Sequence, residues 1–225
     1  MLVRLVSVSA LFYFSFMMNK IILSLLLFMG CTVGRAQALY DVLRSIPDTM
    51  VSYLDAGQRS ELADDILAKK SAVVVNSIGD TTSIVRHSGD YVLLRCNKAR
   101  DMEMKLLPRK QEGDTLLCVV NTYKGPAEES TIAFYTLDWK TVSGGRFVAD
   151  VPAQSLLHKP DSVSDNDFHH LCDMLDPLLV NIHLSPNNYS LTYSVSIPEV
   201  PRDKEKELKD IISQIKFNWD GERFN

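Results

Sequence analysis

The first 38 residues of the chain contain neither aspartate nor glutamate, although the whole sequence has 28 acidic residues. This acid-free segment carries three basic residues, Arg4, Lys20 and Arg35, and is otherwise dominated by leucine, isoleucine, valine, phenylalanine and methionine. The lack of acidic residues excludes an ordinary soluble segment, because soluble surfaces carry charges of both signs. A few basic residues followed by a short apolar stretch are instead typical of an export signal.

Long hydrophobic runs are also lacking, because a polar pair divides the two apolar stretches of this segment, residues 5–18 and 21–29. A bilayer core takes about 20 apolar residues, and neither stretch alone can span it. From Met18 onward, the segment has a basic start, an apolar centre and a small-x-small cleavage site at residues 36–38. We therefore expect translation to begin at Met18, residues 1–38 to be a leader, and the protein to be periplasmic or secreted.

Two other interpretations of the leader stay open. The two apolar stretches together could form one broken membrane anchor. Alternatively, Cys31 follows Phe28, Met29 and Gly30, which loosely match the site of lipoprotein signal peptidase, and a lipid on Cys31 would anchor the protein in the envelope. Gly30 suits that site but Phe28 and Met29 do not, so we prefer soluble export. Membrane contact is expected only through the leader or this lipid.

Residues 39–225 lack every feature that would divide them into two domains. No low-complexity tract, charge block or linker rich in proline and serine interrupts them, and they are long enough for one hydrophobic core. They retain 21 of the 24 basic residues and all 28 acidic ones, so their formal net charge is −7. A basic surface for nucleic acid is therefore not expected. We predict a single globular domain.

Motifs of known catalytic and cofactor chemistry are also lacking. The sequence has no Gly-x-Ser-x-Gly elbow, no His-Glu-x-x-His pair, no Ser-x-x-Lys with its partner motifs and no glycine-rich phosphate loop. We therefore expect no cofactor, and the catalytic residues, if any, stay unknown.

Hydrophobic periodicity predicts an α+β fold that begins with a pair of helices. The helices are expected at residues 39–54, with a kink at Pro47, and at residues 58–70, with Leu62, Ile66 and Leu67 facing inward. About six strands then follow, separated by short turn-forming segments that favour pairing between sequence neighbours in an antiparallel meander. The strands are predicted at residues 72–77, 82–87, 91–96, 102–107, 115–123 and 131–137.

The last third of the chain is predicted to be mixed. A short helix at residues 165–175 would begin at Ser164 as N-cap, and two further strands are expected at residues 179–183 and 189–197. A C-terminal amphipathic helix is predicted at residues 202–217, because isoleucine and leucine recur there at spacings of about three, four and seven. Trp219 and Phe224 are expected to fix the tail.

Several short motifs resemble one known family. They are EMKLLP at residues 103–108, GP at residues 125–126, FYTLDW at residues 134–139 and IPDTM at residues 46–50. Together they are similar to the signature of a family of exported Bacteroidales proteins whose function is not known. The resemblance covers nearly all of the chain after the leader and implies an envelope location. A family of unknown activity has no catalytic residues to transfer.

We interpret the signature as scaffold. Met104, Leu106 and Phe134 suit the core face of strands, and Trp139 suits a large anchor where a strand leaves the sheet. The residues after the leader include an odd number of cysteines, Cys96, Cys118 and Cys172. The first two alternate with apolar neighbours in strand-like runs, so we expect them to be buried core residues, while a disulfide stays open as an alternative.

One cluster of residues could carry chemistry, and it consists of His169, His170, Cys172, Asp173 and Asp176. Adjacent histidines on a helix diverge by about 100° and cannot share a metal ion. The other histidines, His87, His158 and His183, stand alone in the sequence. We therefore predict no metal site, with the histidines of the cluster at the surface.

Two functions remain open. The preferred prediction is a non-catalytic envelope protein that binds a protein or a glycan. The alternative is a small envelope hydrolase that uses an acid such as Asp138 or Asp173 with a histidine. A deep pocket with a buried carboxylate beside a histidine would favour the hydrolase, and an apolar concave patch without such groups would favour the binding protein.

Overall fold

The computed structural model describes residues 37–111 and 114–225, which form helices, strands and two short 3-10 turns. The predictions for residues 1–36, including Cys31, lie outside the described residues. The helices are α1 (37–44), α2 (Ala56–Leu67), α3 (Asp165–Asp173) and α4 (Arg202–Ile211). The strands are β1 (Val73–Val75), β2 (Thr81–His87), β3 (Tyr91–Asn97), β4 (Arg100–Pro108), β5 (Thr115–Tyr123), β6 (Glu129–Tyr135), β7 (Thr141–Val142), β8 (Val180–Leu184), β9 (Ser190–Val195) and β10 (Ile215–Asn218).

Strands β1 to β7 form a seven-stranded antiparallel sheet in which every strand pairs with its sequence neighbour. The predicted meander is therefore confirmed, and the short strand β7 extends it beyond the six expected strands. Strands β8, β9 and β10 form a separate three-stranded antiparallel sheet in the order β10-β9-β8. The α+β fold class is confirmed. We call the two sheets the central sheet and the small sheet.

The first helix ends earlier than predicted. Its last backbone hydrogen bond runs from the amide of Ser45 to the carbonyl of Asp41 at 3.0 Å. Proline disfavours helical geometry in the residue before it, so Pro47 ends the helix instead of kinking it. The segment that follows forms turns, and the prediction of a helix to residue 54 was wrong.

Helix α2 begins with a complete capping box. The side chain of Asp55 accepts a hydrogen bond from the backbone of Gln58, and the side chain of Gln58 accepts one from the backbone of Asp55. Leu62 and Ile66 are buried as expected, but Leu67 at the C-terminal end of the helix is exposed, against the prediction.

Ser164 caps α3 as predicted, with its hydroxyl oxygen accepting from the amide of Asp167 at 3.2 Å. The C-terminal helix was predicted too long, because α4 ends at Ile211 and β10 follows. Ile215 fits both the helical and the strand periodicity. It continues the apolar stripe of the helix, and it also alternates with Phe217 as residues of a strand do. Pairing of β10 with β9 decides in favour of the strand.

The central sheet is covered on both faces. One face packs against α1 and α2 through an apolar cluster that includes Leu43, Leu62 and Met104. The other face packs against the small sheet and α4 through a second cluster that includes Phe134, Leu191 and Leu208. Strands β4 and β5 lie in the middle, so most of their residues are buried, including the charged Glu103 and Lys105 of β4.

Aromatic side chains fix the two ends of this arrangement. Trp139 adopts a left-handed backbone with φ of 62° after β6, and its indole nitrogen donates to the carbonyl oxygen of Val42 in α1 at 3.1 Å. Trp219 packs against Phe224 with ring centroids 5.2 Å apart and donates to the carbonyl oxygen of Pro108. The predicted anchoring roles of Trp139, Trp219 and Phe224 are confirmed.

Candidate functional site

A cleft of about 440 Å³ lies where the small sheet stops covering the central sheet, and we call it the junction cleft. Central-sheet strands β2 to β5 supply one side of it, and β8, the following turn and β9 supply the other. The lining residues are Arg86, Tyr91, Leu93, Asp101, Glu103, Thr122, Glu128, His183, Leu184, Ser185, Pro186 and Thr192.

Glu103 is the centre of the hydrogen-bond network in this cleft. It projects from β4 and is only 4 % exposed. Its Oε2 accepts from the hydroxyl of Tyr91 at 2.9 Å and from the backbone amide of Leu184 at 3.0 Å, and its Oε1 lies 2.9 Å from Nδ1 of His183. Burial, followed by the charge of Glu103 and the hydrogen bond to it, raises the pKa of Tyr91, which keeps that phenol a donor. The carboxylate therefore joins two strands of the central sheet to β8.

His183 lines the cleft. Its Nδ1 is hydrogen-bonded to Glu103, and its Nε2, on the opposite side of the ring, is not. Because a carboxylate accepts hydrogen bonds, Nδ1 carries the proton that is shared with Glu103. This hydrogen bond raises the pKa of His183, against a smaller opposing effect of burial. The side chain is 59 % exposed, so Nε2 can meet a ligand or water.

Lys105 occupies the next position on the same face of β4 and is also buried, at 1 % exposure. Its Nζ forms an ion pair with Asp90 at 3.0 Å and lies 3.5 Å from the carbonyl oxygen of Pro186. The rings of Tyr91 and Tyr189 flank it, with centroids at 5.8 and 5.1 Å. Lys105 thus holds the β8–β9 turn that forms one wall of the junction cleft.

The remaining charges of the cleft differ in how they are compensated. Asp101 forms ion pairs with Arg95 at 3.3 Å and Lys124 at 2.7 Å. Glu128 accepts a hydrogen bond from the side-chain amide of Asn181 at 2.7 Å. Arg86, in contrast, takes part in none of the ion pairs of the described residues, so its guanidinium is available to a ligand.

Sequence reasoning missed this site for a physical reason. Glu103 and His183 are 80 residues apart, and only the packing of β8 across β4 brings them together. His183 stands alone in the sequence, and no neighbouring residue marks it as part of a site. The one available signal was the alternation of Glu103 and Lys105 with apolar residues in a strand flanked by other strands, which requires two buried charges.

The predicted histidine cluster lies on the surface of α3. Nδ1 of His169 is 2.8 Å from the carbonyl oxygen of Asp165, one turn earlier in the helix. Leu171 is buried and Cys172 is half-buried. Within the described part of the chain, no three His, Cys, Asp or Glu side chains are grouped to hold a metal ion. The exposed members of the cluster are His169, His170, Asp173 and Asp176.

The acids named for a hydrolase are not in the junction cleft. Asp138 is exposed in the turn after β6, where it forms an ion pair with Lys140 at 2.6 Å, and the hydrogen bond from Lys140 lowers its pKa. Asp173 is exposed on α3. The carboxylate that the fold buries beside a histidine is Glu103.

Cys96, Cys118 and Cys172 are free thiols. Cys96 lies in the cluster under α1 and α2, whereas Cys118 lies in the cluster under the small sheet, so the central sheet separates them. Burial raises the pKa of both thiols. The prediction that these two cysteines are buried core residues is confirmed.

The model of a family described as a protein of unknown function (DUF3256) matches residues 32–224. The chain belongs to this family. A search of curated proteins found no match to this DUF3256 chain. Its fold is similar to a solved structure described as a domain of an uncharacterized protein from Porphyromonas gingivalis W83. The TM-score is 0.64 at 17 % sequence identity, and the match covers 84 % of this chain and 96 % of the other.

The expectation of an uncharacterised family is thus confirmed for this DUF3256 chain. In residues 37–111 and 114–225, no helix is both long enough and apolar enough to cross a membrane.

Proposed function

We propose that this protein is exported to the cell envelope and binds there, without catalysis, a glycan that carries carboxylate groups. The ligand site is the junction cleft. The observation that carries the proposal is that Arg86, which lacks an ion pair among the described residues, and the exposed imidazole of His183 line the same cleft. Both groups donate hydrogen bonds to a carboxylate when they are charged. The acid-free leader supports export.

The other lining groups suit a sugar. Thr122, Ser185 and Thr192 offer hydroxyls, and the carboxylates of Asp101 and Glu128 can accept from sugar hydroxyls. Leu93 supplies an apolar floor. A cleft of this size with many hydrogen-bonding groups matches a short oligosaccharide better than a flat protein partner.

Binding is favoured over catalysis because the buried carboxylate is already engaged. Glu103 accepts three hydrogen bonds from protein groups, so it orients His183 and joins the sheets instead of acting on a ligand. Among the described residues, no hydroxyl or thiol side chain is hydrogen-bonded to His183 as a nucleophile would be.

The test compares two probes of equal length, a trimer of galacturonic acid and the neutral trimer maltotriose, by isothermal titration calorimetry. We expect the acidic trimer to bind more tightly, and Arg86→Gln and His183→Gln each to weaken its binding about tenfold, as loss of a charge-assisted hydrogen bond predicts. Arg223→Gln removes an exposed arginine outside the cleft and should leave binding unchanged. Equal affinity for both trimers, or no effect of the two cleft variants, would contradict the proposal.

A hydrolase is the second candidate, and the Glu103–His183 contact favours it. A neutral imidazole whose Nδ1 is held by a carboxylate can take a proton from water through Nε2. The same two trimers separate the binding protein from the hydrolase. They are incubated with the protein, and the mixture is followed by mass spectrometry. Our proposal predicts no shortened product. Product formation that His183→Gln abolishes would establish the hydrolase instead.

A further inference from the structure

A second cavity lies between the two sheets, beside β6 of the central sheet. It is a groove of about 410 Å³ between β6 and β8, closed on one side by residues 144–151, and we call it the apolar groove. Its walls are mainly aliphatic and aromatic. The apolar side chains that define it are Ile132, Phe134, Val148, Val151, Val180 and Ile182. None of these residues lines the junction cleft.

The apolar groove contains one polar side chain whose hydroxyl has no hydrogen-bond partner among the described residues. Tyr193 of β9 lines it and is only 6 % exposed, yet its hydroxyl is hydrogen-bonded to no other described residue. The hydroxyl oxygen is not among the fully buried atoms that lack a partner, so it keeps accessible surface with which it can meet a ligand. Burial raises the pKa of Tyr193 to about 12, and the Cys118 thiol and the Asp150 carboxylate add to the effect, so the phenol is neutral and can donate or accept.

The charge that lines the groove is negative. Asp150 is the only charged residue among the described residues that line it, and it is exposed at the mouth. Asp150 and Tyr193 line the same groove. A ligand with a carboxylate or phosphate head would be repelled at this position, whereas an ammonium head would be attracted.

We propose that the apolar groove is a binding site for a single-chain alkylamine-type amphiphile. The alkyl chain lies between β6 and β8, and the ammonium head donates hydrogen bonds to Asp150 and to the phenol oxygen of Tyr193. The lining matches the general pattern of a ligand site, which is apolar with a few placed polar groups. This site is independent of the junction cleft and of the glycan proposed for it.

Small residues keep the groove open. Gly144, Gly145 and Ala149 line it, and a Cβ added at Gly145 would have no atom within 4 Å. Ala149 is exposed, so a larger side chain there can fill the groove without disturbing the core. Ala149→Trp is therefore a blocking variant, and Ala68→Trp, at the exposed C-terminal end of α2, is its matched control.

The test uses protein purified from cells that express the full chain and measures binding of decylamine, decanol and decanoate below their micelle concentrations. We expect affinity to fall in that order. Octylamine should bind more weakly than decylamine, by about fourfold for each methylene lost, as burial of apolar chain predicts. Two-dimensional NMR with decylamine should shift the amides of β6, β8 and residues 144–151.

Substitutions test the apolar part and the polar part of the site separately. Ala149→Trp should abolish decylamine binding, whereas Ala68→Trp should not change it. Asp150→Asn should remove the preference for decylamine over decanol, and Tyr193→Phe should weaken decylamine about fivefold, as loss of one hydrogen bond predicts. Tyr123→Phe, at an exposed tyrosine of β5, is the control for the latter. Decanoate binding as tightly as decylamine, or unchanged binding in Ala149→Trp, would overturn the proposal.

Discussion

Glu103 and Lys105 are two ionisable side chains buried between the sheets, and each has hydrogen-bonding partners there. A charge that is buried without a partner costs several kcal/mol, and breaking a buried pair is correspondingly destabilising. The three donors around Glu103 and the carboxylate and two aromatic rings around Lys105 offset this cost. At the residue scale these contacts define how the small sheet is positioned.

The substitution Glu103→Gln tests this role. An amide keeps the shape of the side chain but places an NH₂ donor among groups that are themselves donors, so we expect a loss of unfolding free energy of about 2 kcal/mol. Urea denaturation followed by circular dichroism measures it. Glu129→Gln, at an exposed position of β6, should change stability by less than about 0.5 kcal/mol. Equal stability of the two variants would contradict a bridging role.

The contact between His183 and Glu103 predicts a pH dependence of stability. The pKa of His183 is raised in the folded state, so the stabilisation is fully present below the unfolded pKa of about 6.5 and is lost as pH rises through the folded pKa. His183→Gln should therefore destabilise the protein more at about pH 5.5 than at about pH 9. Urea denaturation at both pH values measures this, with His87→Gln as the matched histidine variant. A larger loss at the higher pH would refute the assignment.

At the scale of elements, the sequence predicts the strands best where both neighbours in the sheet are also neighbours in the chain. The bounds predicted for β5 coincide with those observed, and α3 begins after the predicted N-cap. Local turns and alternation are sufficient there, because each hairpin is specified by adjacent residues. Where a partner comes from farther away, as β9 does for β10, local periodicity favoured the wrong element.

The junction cleft could not be predicted from local sequence patterns. It depends on how β8 crosses β4, and no local pattern encodes the crossing of two sheets. The buried charges of β4 were visible in the sequence, but their partner His183 became identifiable only through packing. The surface histidines of α3, in contrast, were placed correctly, because helical geometry alone decides whether adjacent side chains can converge.

The capping box of α2 predicts a measurable contribution to stability. Asp55→Ala removes the acceptor for the Gln58 amide and should lower the unfolding free energy by about 1 kcal/mol. Glu61→Ala, at an exposed position inside the same helix, is the control and should be nearly neutral, since alanine is the best helix former. Thermal denaturation followed at a helix-sensitive wavelength compares them. Equal effects of both substitutions would show that the cap contributes nothing.

At the scale of the whole molecule, the leader predicts how the chain is processed. Cleavage at the small-x-small site predicts that the envelope-localised protein begins at Gln37 or Leu39. N-terminal sequencing of the protein from a membrane-free periplasmic fraction measures this. A blocked N-terminus with an acylated Cys31 would replace soluble export by a lipid anchor.

The two buried charges of β4 also matter before the chain has folded. Residues 102–107 would otherwise form a run of strand-forming apolar residues, the kind of segment that stacks into aggregates while it waits for its partners. Glu103 and Lys105 interrupt this run, and in an in-register stack of identical chains each would meet its own like charge. Such a segment is a poor template for intermolecular pairing. The residues that align the two sheets in the native protein therefore also act as gatekeepers against aggregation of the newly made chain.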